Sequence, residues 1–441
     1  MYLILGLYLF LPRAFSETFD LLKSFERAKE VDPALASVRA EYKAALTLPK
    51  QSRAQFLPQL NFSYNLYKLN YLQAPKTYYD YDGSNLRFNL QQTLLNFPLW
   101  VEHQQNKLRA KLAEQKLTVA ELNLARRVIE AYFNYVIAKE RLRILKEEEK
   151  ALRHNREAIK RLYQAGEATL TDIYDAETKL SEVIYRLATA EKDLLVARGN
   201  MARLLGLDYT SPFDLVFLRE DVDLPDFTPD DLNYWLTLAS KNNPTIKYYA
   251  TNKEIAFREI NKQSYYAYPK VDAYASYIRS SSVEYLRTQD ISYHLIGLQI
   301  TIPIFTGGYI TAKKQEARER FHQAEKEHDR ILSDILQHVL ELYHNVKTTQ
   351  AQIQYAKTFL ISSQLSLDAT RKAYQAGQRT FVDLLFAESN YYQAKYTYLK
   401  ARYDYLLNLI LLKIYCGTLT YQDLHDLNKL FIQEKTYHAA Y

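Results

Sequence analysis

The chain has 441 residues, of which 48% are hydrophobic and 24% charged, with a formal net charge of +6. That much charge excludes a polytopic helical membrane protein, and beyond the first few residues no run reaches the roughly 20 apolar positions that a membrane-spanning helix needs. The charge excess is too slight for this length to point to nucleic acid, and the single cysteine, Cys416, excludes an internal disulfide or a cysteine-built zinc site.

Residues 1–16 read as a secretory signal peptide. Tyr2 to Leu11 is an apolar run of h-region length, Pro12 breaks it, and Ala14-Phe15-Ser16 fits a small-x-small cleavage site. No Lys or Arg precedes the run, so an apolar N-terminal arm is the competing reading. From Thr18 to Gln55 the pattern is helical. Phe19, Leu22, Phe25 and Ala28 fall on one face, Asp32-Pro33 makes a kink, and Pro58 ends the segment.

The period then drops to two. Leu60, Phe62, Tyr64 and Leu66 alternate with Gln59, Asn61, Ser63 and Asn65. Gln73 to Gly83 is polar and aromatic and is expected as a loop. Beyond it, Leu86, Phe88 and Leu90 alternate with Arg87, Asn89 and Gln91. The two strands, over about residues 58–72 and 84–95, have the length of strands that cross a membrane in barrels.

Pro98 opens a long helix. Trp100 to Gln164 contains neither proline nor glycine and is rich in strong helix formers; at 1.5 Å per residue it would be about 100 Å long. Ala138, Leu145, Leu152 and Ile159 recur at a coiled-coil period. A turn at Gly166 follows, after which Ile173, Leu180, Leu187, Leu194 and Met201 keep the same spacing, so the two helices form an antiparallel hairpin.

Residues 211–230 carry Pro212, Pro225 and Pro229 among acidic residues and form a linker. The first half then recurs. Pro33 and Pro58 correspond to Pro244 and Pro269, and strands are expected over about 269–281 and 292–303. The tip Tyr163-Gln-Ala-Gly-Glu-Ala-Thr-Leu-Thr-Asp172 is matched by Tyr374-Gln-Ala-Gly-Gln-Arg-Thr-Phe-Val-Asp383, 211 residues later. Gly206 and Gly417 end the two hairpins. The chain therefore divides into repeat 1 (17–210, tip about 163–172), the linker, repeat 2 (231–417, tip about 374–383) and a C-terminal segment (418–441). The fold class is mainly α and internally duplicated, with long coiled-coil hairpins and four strands. Four strands cannot close a barrel, and an open edge has no hydrogen-bond partners in a bilayer. If the strands enter a membrane, several copies must share one barrel.

The two tips share Gly166 and Gly377, which serve the turn, and Asp172 and Asp383, which suit helix caps as well as they suit any other role. They differ at Arg379, whose counterpart is Ala168, and at Phe386, whose counterpart is Asp175. No Gly-rich phosphate loop, nucleophile elbow or Cys–His set is present, and the histidine pairs His322/His328 and His338/His344 lack helical metal-site spacing. Nothing here supports an enzyme or a cofactor.

The second tip, together with Ala401-Arg-Tyr-Asp-Tyr-Leu-Leu-Asn408 and Gly417-Thr-Leu-Thr-Tyr-Gln-Asp-Leu-His-Asp-Leu-Asn428, resembles the TolC family of outer-membrane efflux channels. The resemblance covers essentially the whole mature chain. It implies a homotrimer in the outer membrane of a Gram-negative bacterium, with a twelve-stranded barrel set in lipid and a helical tunnel in the periplasm. Such a tunnel is a passive conduit for efflux or type I secretion, exporting small molecules or proteins. It docks with a periplasmic adaptor and with an inner-membrane transporter of the RND, ABC or MFS type. The resemblance also assigns Thr171, Asp172, Tyr374 and Arg379 to a periplasmic gate, and Asp383 and Phe386 to its constriction. An Asp383 ring would offer a weak cation site, and the phenyl ring of Phe386 where the family has a second aspartate implies a partly apolar constriction. The alternative from another class is a periplasmic coiled-coil adaptor without a pore, which has no need of membrane-length strands.

Overall fold

The computed structural model describes residues 17–73, 77–219, 222–284 and 287–432; residues 1–16, the expected signal peptide, lie outside them. The first repeat carries β1 (Glu17–Phe19), α1 (Leu21–Val31), α2 (Pro33–Ala45), α3 (Leu48–Ala54), β2 (Gln59–Gln73), β3 (Thr77–Leu95), α4 (Phe97–Gln164) and α5 (Leu170–Leu205). Two short strands follow, β4 (Phe213–Leu215) and β5 (Phe217–Leu218). The second repeat carries α6 (Leu232–Asn242), α7 (Pro244–Tyr265), β6 (Lys270–Glu284), β7 (Arg287–Thr301), α8 (Tyr309–Gln375) and α9 (Phe381–Tyr415). The chain closes with α10 (Tyr421–Asn428) and β8 (Phe431–Ile432). Two compact units result. One holds Val38–Thr118 and Pro244–Leu332; the other holds the chain up to Ser37, Val119–Asn243 and the chain from Ser333.

The first of these units contains an antiparallel sheet of order β2-β3-β6-β7. At the end of the sheet next to α3 and α4, its register gathers apolar residues of all four strands on one face. Leu60, Phe62 and Tyr64 lie opposite Leu90, Phe88 and Leu86; Phe88 and Leu90 lie opposite Tyr277 and Ala275; Ala275 and Ala273 lie opposite Ile296 and Leu298. Leu60, Phe62, Leu66, Ile296 and Leu298 are all exposed on this face. The opposite face carries hydrogen-bonded polar pairs, Ser276 Oγ donating to Asn89 Oδ1 (2.7 Å) and Thr93 Oγ1 to Asp272 Oδ1 (2.9 Å), together with Ile278, Leu295, Tyr293 and Ile291. β2 and β7 are edge strands, each paired on one side within the chain.

β3 begins at Thr77, so most of the stretch expected as a loop between Gln73 and Gly83 is strand instead. Tyrosine is a strong strand former, and this stretch carries Tyr78, Tyr79 and Tyr81. Gly83 is a strand position over which the Tyr67 ring lies; a Cβ there would sit 2.4 Å from the ring. The N-terminal segment also differs from the expected kinked helix. Thr18 lies in β1, which pairs in parallel with β4, and the helix starts only after Asp20, whose side chain accepts from the Lys23 N–H. Asp32 ends α1 and caps α2 by accepting from the Leu35 N–H at 2.7 Å, and a second break precedes α3.

The other unit is built on the hairpins. α4 and α8 run unbroken for 68 and 67 residues. Heptad positions Leu145, Leu152 and Ile159 of α4 meet Leu180, Val183 and Leu187 of α5 in one buried cluster, to which α8 and α9 add Leu367, Phe381, Leu384 and Leu385. Far from the tips, Tyr132 and Phe133 pack edge-on against Phe431, and Phe133 also against Tyr403. The linker is fixed here by side chains of the long helices. Tyr132 OH donates to the Val216 carbonyl (2.8 Å), Tyr405 OH to that of Pro225 (2.6 Å), and Arg402 to those of Arg219 and Val222 (2.9 and 3.0 Å).

Candidate functional site: the hairpin tips

Both tips turn by the same hydrogen bonds. In the first, the Glu167 N–H donates to the Leu162 carbonyl (2.8 Å) and the Gly166 N–H to that of Tyr163 (3.0 Å). In the second, Gln378 donates to Ala373 (2.8 Å) and Gly377 to Tyr374 (2.9 Å). Gly166 and Gly377 take φ of 80° and 70°, the left-handed C-terminal cap in which glycine carries no Cβ penalty.

Each following helix restarts with a reciprocal cap. Asp172 Oδ2 accepts from the Thr169 N–H (2.8 Å) and hydroxyl (2.7 Å), and Asp383 Oδ2 accepts from the Thr380 N–H (3.0 Å) and hydroxyl (2.9 Å). The Thr380 N–H, then the Thr380 hydroxyl, then the Arg379 charge hold the Asp383 carboxyl below its ordinary pKa.

The residues assigned to the gate fall around these caps. Tyr374 is half-buried, with its ring 5.9 Å from that of Phe381. Burial, and after it the charge of Asp172, raise the pKa of its hydroxyl, so Tyr374 and Asp172 share one neighbourhood across the two hairpins. Arg379, in the turn before α9, is exposed and lies 4.0 Å from Asp383. Thr171 is exposed, and its side chain makes no hydrogen bond among the described residues. Phe386 is 55% exposed, with Lys179 Nζ of α5 lying 5.3 Å from its ring centroid. Within one chain, then, Tyr374 approaches Asp172, whereas Arg379 does not pair with Thr171 or Asp172.

An apolar contact also joins the tips. Phe381, Leu384, Leu385 and Glu388 form a stripe at helical spacing on α9, and all four are buried. Of their counterparts in the first repeat, Leu170 and Tyr174 are exposed. The second tip thus tucks against the first hairpin, not the reverse. Polar ties accompany the stripe. Glu388 accepts from Asn155 of α4 (2.6 Å), Lys395 donates to Glu147 of α4 (2.7 Å), and within the first hairpin Arg186 donates to the buried Glu148 (2.8 Å). Ala387-Glu388 matches Ala176-Glu177 in the repeat, and its place seven residues after Phe381 puts Glu388 on the face of the stripe.

A model of the outer membrane efflux protein family matches residues 25–207 and 235–418, one match on each repeat. The chain belongs to this family. It is an outer-membrane protein related to TolC. It is 26% identical over 415 residues to the outer membrane protein TolC of Vibrio cholerae, covering 93% of each chain. It is 25% identical over 442 residues to the alkaline protease secretion protein AprF of Pseudomonas aeruginosa, covering 98% of this chain and 92% of that one. Among solved structures, the outer membrane protein VceC of Vibrio cholerae superposes with a TM-score of 0.76 at 18% identity, covering 90% of this chain and 96% of that one. That likeness carries the fold.

Proposed function

We propose that three copies of this outer membrane efflux protein close a twelve-stranded barrel, and that their hairpins form a periplasmic duct whose mouth is shut at the tips. One observation carries the reading: a four-stranded sheet with an exposed apolar patch on one face and two unpaired edges. In lipid such edges demand partners, and edge-to-edge pairing of β7 with β2 of a neighbouring copy supplies them. An adaptor without a pore would have no use for the apolar face. The duct is a passive exit for small molecules or secreted proteins; the relative AprF is named for protease secretion. A periplasmic adaptor and an inner-membrane transporter open it by separating the tips, with Tyr374, Arg379, Thr171 and Asp172 resisting. Asp383 and Phe386 line the constriction, and a ring of Asp383 carboxylates attracts cations weakly. The purified oligomer should migrate in a heat-modifiable way and form low-conductance channels in planar bilayers. A folded oligomer that forms no pore refutes the proposal.

A further inference from the structure

At the centre of the seam between the hairpins sits one carboxyl group. Glu388 continues the apolar stripe of Phe381, Leu384 and Leu385 and is 3% exposed. Its Oε2 accepts from Asn155 Nδ2 of α4 at 2.6 Å, and its Oε1 from an Arg371 guanidinium nitrogen of α8 at 3.3 Å. The groups facing it are Arg371 from α8, Asn155 and His154 from α4, and Tyr392 from α9. Arg371 is half in solvent and also lies 3.9 Å from Asp368, so Glu388 does not own its charge. An ionised carboxylate in such a place is poorly compensated.

We propose that Glu388 is a further gate residue, a proton-dependent tie between the hairpins, because its carboxyl must leave this three-helix pocket for water when the tips separate. The inference rests on the gate reading above. Burial is the largest influence on Glu388 and raises its pKa, while Arg371, Asn155 and His154 act the other way. In the open state the group returns to the ordinary carboxylate range. The closed state therefore binds the proton more tightly. Acidification through the closed-state pKa favours closure, and the gain is complete below the ordinary carboxylate value.

The test follows amide hydrogen exchange of residues 381–388 in the purified full-length oligomer, corrected for intrinsic exchange, from neutral pH down through the carboxylate range. Bilayer conductance is recorded on the same samples. Wild-type protection should rise on acidification, by about tenfold for each unit separating the two pKa values. Glu388→Gln, a neutral group that still accepts from Asn155, should be protected throughout and insensitive to pH. Asn155→Leu, which removes the partner on the other hairpin, should lower protection at neutral pH, and it serves alone if Glu388→Gln fails to assemble. Wild-type pH dependence in Glu388→Gln, or unchanged protection in Asn155→Leu, overturns the inference. A pore that gates while Glu388→Gln behaves as wild type sinks the tie alone. A pH-dependent seam in an oligomer without a pore sinks the duct and leaves the tie.

Discussion

Replacing Phe381 by alanine would remove the apolar anchor of the second tip. Its ring is 5% exposed, packs 5.9 Å from Tyr374, and belongs to the cluster in which all four long helices meet. Truncating a buried phenylalanine costs about 3–5 kcal/mol, cavity included. If about 3 kcal/mol of that falls on the closed arrangement, the closed-to-open ratio drops by roughly 100-fold per protomer. The exposed polar contacts of the tips contribute far less, because water and salt screen them. Phe381→Ala should therefore raise single-channel conductance, or the fraction of time spent open, more than any single polar change at the tip. Planar-bilayer recording measures this, and a thermal melt of the same sample separates gating from unfolding. A folded oligomer carrying Phe381→Ala with the wild-type closed conductance would refute the claim that the apolar seam holds the mouth shut.

Tyr374→Phe combined with Arg379→Ser should also raise conductance, by less than Phe381→Ala; an unchanged closed state would show that these side chains do not latch the tips. Asp383→Asn keeps an acceptor for the Thr380 cap but removes the charge, so block by divalent or trivalent cations should weaken; equal block would place the cation site elsewhere. Arg186→Met leaves Glu148 buried without its partner and should cost about 3–5 kcal/mol at neutral pH. Burial already raises the Glu148 pKa against the pull of Arg186. Its favourable, protonated form is complete below the unfolded value and is lost as pH rises, so the deficit should shrink on acidification in denaturant titrations. Gly166→Ala meets only the left-handed backbone penalty of about 1–2 kcal/mol, since nothing lies within 4 Å of the added Cβ. Gly417→Ala should lower the melting temperature more, because its Cβ would fall 2.7 Å from the Asn242 carbonyl oxygen.

The fold was legible wherever a period repeats. Heptads such as Leu145, Leu152 and Ile159 announced buried helix faces, and the alternation from Leu60 to Leu66 announced a face of a sheet. Contacts made by few residues across long separations were not legible. β1 is three residues long and pairs with β4 almost two hundred positions away; no local pattern encodes that. The start of β3 was missed because Gly83 carries the composition of a turn, whereas in the strand it makes room for the ring of Tyr67 in the facing strand. At the tips, duplication itself misled. Phe381 and Leu170 occupy the same position in matched motifs, yet one is buried and the other exposed. Which hairpin tucks under the other is set by packing between the repeats, to which comparison of the repeats is blind.

The proposed gating role of the tip aspartates is compatible with their capping role, and a third copy of the cap shows why. Asp423 Oδ2 accepts from the Thr420 N–H (2.8 Å) and hydroxyl (2.7 Å), while its Oδ1 accepts from Lys413 Nζ at 2.7 Å. One carboxylate thus caps a helix with one oxygen and holds a cation with the other. Asp172 and Asp383 spend only Oδ2 on their caps, and Oδ1 of each has no hydrogen-bond partner among the described residues. A carboxylate has lone pairs for several donors. A motion that brought Arg379 onto Asp172, or a cation onto Asp383, would therefore leave both helix starts intact. Closure would add a bond without costing a cap, and opening would remove it without fraying α5 or α9. A reversible latch needs that independence, and the turn residues Gly166 and Gly377 preserve it by fixing each tip through its own backbone.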